Sequence, residues 1–292
     1  MLVGLQQSLD SDAWFAPLLY DDRMTAPFAE QPLPGVWWLT GTRGSNVFVV
    51  ALPSGGVALV DTGFADSAPA ILRALESIGR PLEAILLTHR HRDHTGAAAA
   101  VATATGAPVI AGAGDCRLRN GRLVLRSGIG RSHPLRLAAA FLRRRPAPAP
   151  VAVAVETPQE VLPGIRAIPT PGHTPGSLCF IADHLNAAFV GDLVISHGGE
   201  LTRSLRWANH DDARYLQSIA EFAGIAPPAG FPGHGIPVLA GFDTALAALA
   251  ALPRRPLTPR TALERARRLA AFASGFAARR RPARHVKESE SP

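Results

Sequence analysis

Residues 86–96 read Leu-Leu-Thr-His-Arg-His-Arg-Asp-His-Thr-Gly, placing three histidines and an aspartate within six positions directly after an apolar run. Histidine fills 10 and aspartate 13 of the 292 positions. On composition alone, H-x-H-x-D-H would arise anywhere in such a chain about once in two thousand sequences, so a solvated loop explains it poorly. In an extended loop residues i and i+2 point the same way, so His89 and His91 face one point while Asp93 and His94 come round on the next turn. Imidazole suits zinc or iron, and a neighbouring carboxylate adds negative charge that favours a second cation. One loop cannot complete such a site, so the fold must bring further ligands to this turn.

The rest of the chain offers three, each in a turn at a strand end. IPTPGHTPGS places His173 in a Pro/Gly turn between two strands, FVGDLV places Asp192 at the end of an apolar strand, and FPGHGIP places His234 between glycines. Glycine beside a ligand lets backbone and metal approach closely. The surrounding pattern is that of an α/β protein. GVWWLTG, SNVFVVALP, VALVDTG and AILLT read as successive strands, and SAPAILRALESIG has helical spacing through Ile71, Leu72, Leu75 and Ile78. An Ala-rich helix, HTGAAAAVATATG, follows the histidines, and PVIAG resumes a strand. Strands return with VAVAVE, IRAIPT, SLCFIA and AAFVGDLVI, and a helix over DDARYLQSIAEFA follows, started by Asn209 or Asp211.

These patterns divide the chain into an irregular N-terminal extension packed on the core (1–34), a central domain (35–253) and a basic C-terminal helix and tail (254–292). Within the central domain, residues 115–150 read as an Arg-rich insertion or lid with an apolar piece, LRLAAAFL, because nothing in it could bury a core alone. Thr261 and Glu264 form a capping box for the C-terminal helix. The net charge of +7 lies in the tail, where 11 Lys+Arg stand against 3 Glu, and residues 1–253 carry a net −1. The basic tail carries no aromatic platform or recognised binding motif and the body is nearly neutral, which argues against nucleic acid as the partner. Two cysteines make no disulfide framework, no leader-like segment opens the chain, and no apolar run nears the roughly 20 residues of a membrane span. The expectation is a cytoplasmic protein without a transmembrane segment, for which dimerisation is open.

In this order, Asp61 of VDTG, the H-x-H-x-D-H loop, His173, Asp192 and His234 carry all five signatures of the metallo-β-lactamase-fold hydrolase superfamily, which the chain resembles over residues 35–240. The resemblance implies a four-layer αβ/βα sandwich of two mixed sheets flanked by helices. It further implies that His89, His91 and His173 hold one metal, that Asp93, His94 and His234 hold another, and that Asp192 bridges them. Asp61 would orient ligands rather than bind. Two Zn2+ per chain are expected, with Fe or Mn as the alternative occupants. The implied reaction is hydrolysis of an ester, thioester or lactone of a small apolar substrate by a metal-bridging hydroxide, Asp93 helping to orient the nucleophile. A mononuclear iron enzyme resembling persulfide dioxygenases and a nucleic-acid phosphodiesterase are the alternatives. The Gly-, Cys- and Arg-rich signature that glyoxalase II enzymes carry after GD is missing. Where one lactonase subgroup has a tyrosine, this chain has Leu193, Val194 and Ile195, although Tyr215 could enter from its helix.

Overall fold

The computed structural model describes residues 28–126, 148–197 and 200–254. The insertion's LRLAAAFL piece, the C-terminal helix with Thr261 and Glu264, and the tail lie outside the described residues. Six strands come first: β1 (Ala29–Leu33), β2 (Val36–Leu39), β3 (Phe48–Ala51), β4 (Val57–Val60), β5 (Leu82–Leu86) and β6 (Val109–Gly112). A hairpin of β7 (Cys116–Arg119) and β8 (Arg122–Leu125) leaves the end of β6, and β9 (Val153–Val155) closes a seven-stranded sheet of order β1-β2-β3-β4-β5-β6-β9. The second sheet takes β10 (Gln159–Leu162), β11 (Ile165–Pro169), β12 (Leu178–Ala182) and β13 (Ala187–Gly191). A short hairpin of β14 (Ile195–His197) and β15 (Glu200–Thr202) then precedes β16 (Ala229–Pro232), which pairs in parallel with β13 at the edge.

Side-chain alternation sorts these strands into layers. Phe48, Val50, Ala58, Val60 and Leu86 of the first sheet meet Leu178, Phe180, Phe189 and Phe231 of the second in a core between the sheets. Phe48 lies 5.5 Å from Phe189 and 5.3 Å from Phe231, centroid to centroid. Burying each such ring contributes about 1.5–3 kcal/mol. The alternate residues face outward under helices. Val47, Val49, Leu59 and Ile85 pack beneath α1 (Ala68–Ile78) and α3 (Ala98–Thr105), the single-turn α2 (Arg92–Thr95) lying just before α3 in the chain. Cys179, Ile181, Ala188 and Val190 pack beneath α4 (Asp212–Ala223) and α5 (Phe242–Ala251). The result is helices, sheet, sheet, helices, the four-layer sandwich.

The pattern reading departs from the structure at four places. Ala29–Leu33 belongs to the first sheet as an edge strand, although its sequence AEQPL falls in the supposed N-terminal extension. Proline cannot donate to a ladder and is tolerated at an edge, so Pro32 hid the strand. The Ala-rich helix after the histidines is two pieces separated by Gly96 and Ala97, and at Gly96 only glycine fits, since a Cβ there would strike the backbone of Phe64, Ala65 and Arg92. The insertion opens with the β7–β8 hairpin, whose Arg117, Arg119 and Arg122 are exposed. Finally, Asp211 caps α4 by accepting from the Arg214 amide, while Asn209 has a different task.

Candidate metal centre

The parallel strands β4 and β5 run toward one edge of the molecule, and the site grows from the loops at their ends. Asp61 follows β4 directly, and its amide donates to Leu86 O at the end of β5. Thr88 and His89 follow β5. The chain stays extended through His91 and then enters α2, with His91 O accepting from the His94 and Thr95 amides. This switch from extended chain to helix divides the histidine loop, giving His89 and His91 one direction and Asp93 and His94 another.

The second sheet supplies the remaining groups at the same edge. His173 sits in the turn between β11 and β12, Asp192 directly after β13, and His234 two residues beyond β16. The two sheets are stitched together there. The Leu178 amide donates to Thr88 O at 2.7 Å, the Asn46 amide to Gly233 O at 2.7 Å, and the Asn46 side chain to Pro232 O and Gly235 O. A Cβ at Gly233 would lie 2.6 Å from His94 Cε1 and 2.9 Å from Asp192 Oδ1, so only glycine lets the final loop pass so close.

Two groups of side chains result: His89, His91, His173 and Asp192 in one, and Asp93, His94 and His234 in the other, with ligand atoms within 4.8 Å of one another in each group. His91 Nδ1 stands 3.0 Å from both His89 Nε2 and His173 Nε2. In the second group His94 Nε2 and His234 Nε2 are 3.3 Å apart, and Asp93 Oδ2 is 3.4 Å from His234 Nε2. Asp192 lies between the groups. Its Oδ2 is 3.3 Å from His173 Nε2, and its Oδ1 is 3.4 Å from His94 Nε2 and 3.5 Å from His234 Nε2. Oδ1 is buried and has no hydrogen-bond partner.

The donor set fits divalent cations. Ligands about 2.0–2.1 Å from a tetrahedral zinc stand roughly 3.3–3.4 Å apart, close to the separations seen here. A buried carboxylate oxygen without a hydrogen-bond partner, facing imidazole nitrogens, suits a cation, since leaving such an atom unsatisfied is costly.

Outer partners set the tautomers of three rings. His94 Nδ1 lies 2.7 Å from Asp61 Oδ2, and His89 Nδ1 lies 3.1 Å from Thr88 Oγ1, which itself donates to Asp61 Oδ2. His173 Nδ1 lies 2.9 Å from Asn209 Oδ1. Asn209 Nδ2 donates to Asp212 Oδ1, an acceptor only, which orients the amide so that its oxygen faces the ring. Each of these Nδ1 atoms is thereby a donor, leaving Nε2 with its lone pair toward the site. Asp61 holds its position in the left-handed region at φ 57°, unusual for a residue with a side chain.

The local field differs between the groups. Burial, then His94 and His91, holds His89 well below the ordinary histidine range, and burial with His173 pushes His91 down to about 3. Burial also disfavours a charged His94, but Asp192, Asp61 and Asp93 override it and hold this ring above the ordinary range. Burial opposes ionisation of Asp192, yet His234 and His94 keep its carboxyl well below the usual carboxylate range. Burial likewise opposes ionisation of Asp93, where His94 and His234 prevail and lower it.

All seven candidate ligands read from the sequence thus converge at one edge, with Asp61 just behind them. Asp93 lies in the first turn of α2 and does not cap it, the N-cap position being His91. Tyr215 does not enter the site. It is fully buried, its hydroxyl donates to Leu193 O and accepts from the Ser204 amide, and burial pushes its pKa well above the ordinary tyrosine range. Thr88, Asp115 and Asn209 carried no sequence signal for the site, because their roles rest on partners distant in the chain or on backbone contacts.

Known proteins agree with this architecture. A thioesterase of Emericella nidulans, pkgB, is 28% identical over 202 residues, 68% of this chain and 47% of that protein, so the chain spans about half the length of this relative. An uncharacterised Bacillus subtilis protein, YobT, is 30% identical over 190 residues, covering 61% of this chain and 78% of YobT. Among solved structures, the BLEG-1 B3 metallo-β-lactamase superposes with a TM-score of 0.52 at 24% identity, covering 68% of this chain and 90% of that one. The sequence profile of the Metallo-beta-lactamase superfamily matches residues 40–263, most of the chain. With that match, and with the sandwich and its His/Asp cluster in place, the chain belongs to the metallo-β-lactamase superfamily.

Proposed function

We propose that the protein is a dinuclear metal-dependent hydrolase that cleaves a thioester, ester or lactone bond of a small apolar substrate. His89, His91 and His173 would hold one cation, Asp93, His94 and His234 the other, and Asp192 would contact both. The observation that carries this reading is Asp192, which turns one carboxylate oxygen toward each group and leaves Oδ1 otherwise unpartnered.

Divalent cations held there would lower the pKa of a water toward about 7 and polarise a substrate carbonyl. The protein's own contribution is orientation. Asp61, Thr88 and Asn209 fix ring tautomers, and the two stitched sheets fix the distance between the groups. Asp93 is the most open carboxylate of the cluster, its side chain 31% exposed against 11% for Asp192, so it is placed to accept a hydrogen bond from an attacking water and orient it. Trp207, two residues before Asn209, and Ile236, two residues after His234, are exposed apolar side chains close in the chain to the site, which suits an apolar acyl group. The thioesterase relative places a thioester first among the bonds to test.

The test is a hydrolysis panel of short- and medium-chain acyl thioesters, aryl esters and lactones with zinc-loaded protein. Turnover of at least one of these classes, abolished by Asp192→Ala together with one metal equivalent, is expected. Oxygen uptake with a persulfide, or cleavage confined to phosphodiesters, would overturn the reading.

A further inference from the structure

Asp115 lies outside the ligand set, in the short turn Ala113–Asp115 that joins β6 to the β7–β8 hairpin, and it is fully buried. Its carboxylate is surrounded by donors from two different loops. Oδ2 accepts from the Arg90 amide at 3.0 Å and from Thr174 Oγ1 at 2.6 Å. Oδ1 accepts from the Gly176 amide at 3.1 Å and lies 3.5 Å from Arg90 Nη1. Arg90 stands between His89 and His91, and Thr174 directly follows His173. One carboxylate therefore grips the two loops that carry the whole first group of histidines, and among the described residues its hydrogen bonds and ion pair go to Arg90, Thr174 and Gly176.

The backbone around it is built for that grip. A Cβ at Gly112 would overlap Gly176 O, one at Gly114 would overlap Pro175 O, and one at Gly176 would strike the Asp115 amide. Glycine at all three positions lets the β6 corner and the His173 turn meet backbone to backbone, the approach the Asp115 carboxylate needs to reach both loops. Thr174 Oγ1 is also 2.9 Å from Ser177 Oγ, and the Ser177 hydroxyl accepts from the Thr174 amide, so the turn is braced internally as well.

We propose that Asp115 is the positioning residue of the first ligand group: it sets the spacing of His173 from His89 and His91, and so controls metal affinity at that group while leaving the other group alone. The proposal rests on the dinuclear reading above. A carboxylate is required because both oxygens act only as acceptors. In Asp115→Asn one of them becomes an NH2, which in either orientation faces donors it cannot pair with.

The experiment is a competitive zinc titration of the whole protein against a chromophoric chelator, in wild type, Asp115→Asn and Thr174→Val. Thr174→Val removes a single donor and serves if the asparagine variant fails to fold. Wild type should bind two ions. Asp115→Asn should weaken one of the two by about 10–100-fold, the range typical for an outer partner of a ligand, with the other within about twofold of wild type. Thr174→Val should shift the same ion in the same direction by less. Equal weakening of both ions, or no change in either, would overturn the proposal. A wild type that binds only one ion would instead overturn the dinuclear reading, so the two failures are distinguishable.

Discussion

At the residue scale, the direction of three of the five histidine ligands, His89, His94 and His173, comes from a partner one bond further out. Asp61 is the most connected of these partners, since one carboxylate accepts from the Thr88 amide and hydroxyl and lies 2.7 Å from His94 Nδ1, with His89 reached through the same hydroxyl. Asp61→Asn should therefore lower metal affinity by about 10–100-fold, as loss of an outer partner typically does. The same chelator titration checks it, and wild-type affinity in that variant would show that the ring orients itself. The cysteines make the opposite prediction. Burial pushes the Cys179 thiol up to about 12, and burial followed by Asp115 pushes Cys116 up to about 11, so neither supplies a thiolate near neutral pH. Iodoacetamide at pH 8 should leave the folded protein unalkylated and fully active, as mass spectrometry and a rate assay would report. Inactivation that tracks modification of Cys179 would contradict a mechanism without a cysteine nucleophile.

At the element scale, strand ends decide where chemistry can sit, and this explains what the sequence disclosed. AILLT and AAFVGD announce themselves because continuous apolar runs end abruptly in polar residues, and His89 and Asp192 are among the residues just past those ends. The edge strands were harder. Ala29–Leu33 is interrupted by proline, and Ala229–Pro232 reads AGFP, with glycine and proline in four residues, so neither carries an alternating pattern. The helix Phe242–Ala251 is so rich in alanine that its apolar face barely differs from the other. Asp115, Asn209 and Thr88 were illegible for another reason. Their partners lie up to 61 residues away or on the backbone, and a single sequence does not show such pairings. Glycines at the strand ends are part of the same design. Gly233→Ala would press a methyl group between His94 and Asp192, and should cost at least one of two bound metals with little loss of secondary structure. Elemental analysis alongside circular dichroism measures both, and a variant that keeps wild-type metal content would show that the final loop has room to move.

At the scale of the whole molecule, the cluster joins two halves that otherwise meet, among the described residues, through a shared apolar core and loop hydrogen bonds. His89, His91, Asp93 and His94 come from the first sheet, whereas His173, Asp192 and His234 come from the second. Cations bound there would fasten the sheets at their open edge, so metal binding should appear as stability of the entire fold. An ion at a thousand times its dissociation constant contributes about 4 kcal/mol. In a domain of this size that corresponds to a melting temperature on the order of 10 °C higher. Chelation should lower the melting temperature by that amount and zinc should restore it; an unchanged transition would mean that the site forms no bridge between the sheets. The most direct test of the central claim is metal content, determined by elemental analysis of protein purified without added metal, in wild type and in Asp192→Ala. Two metal ions per chain in the wild type and no more than one in the variant are predicted. A single ion in the wild type, or two retained without the Asp192 carboxylate, would contradict the account.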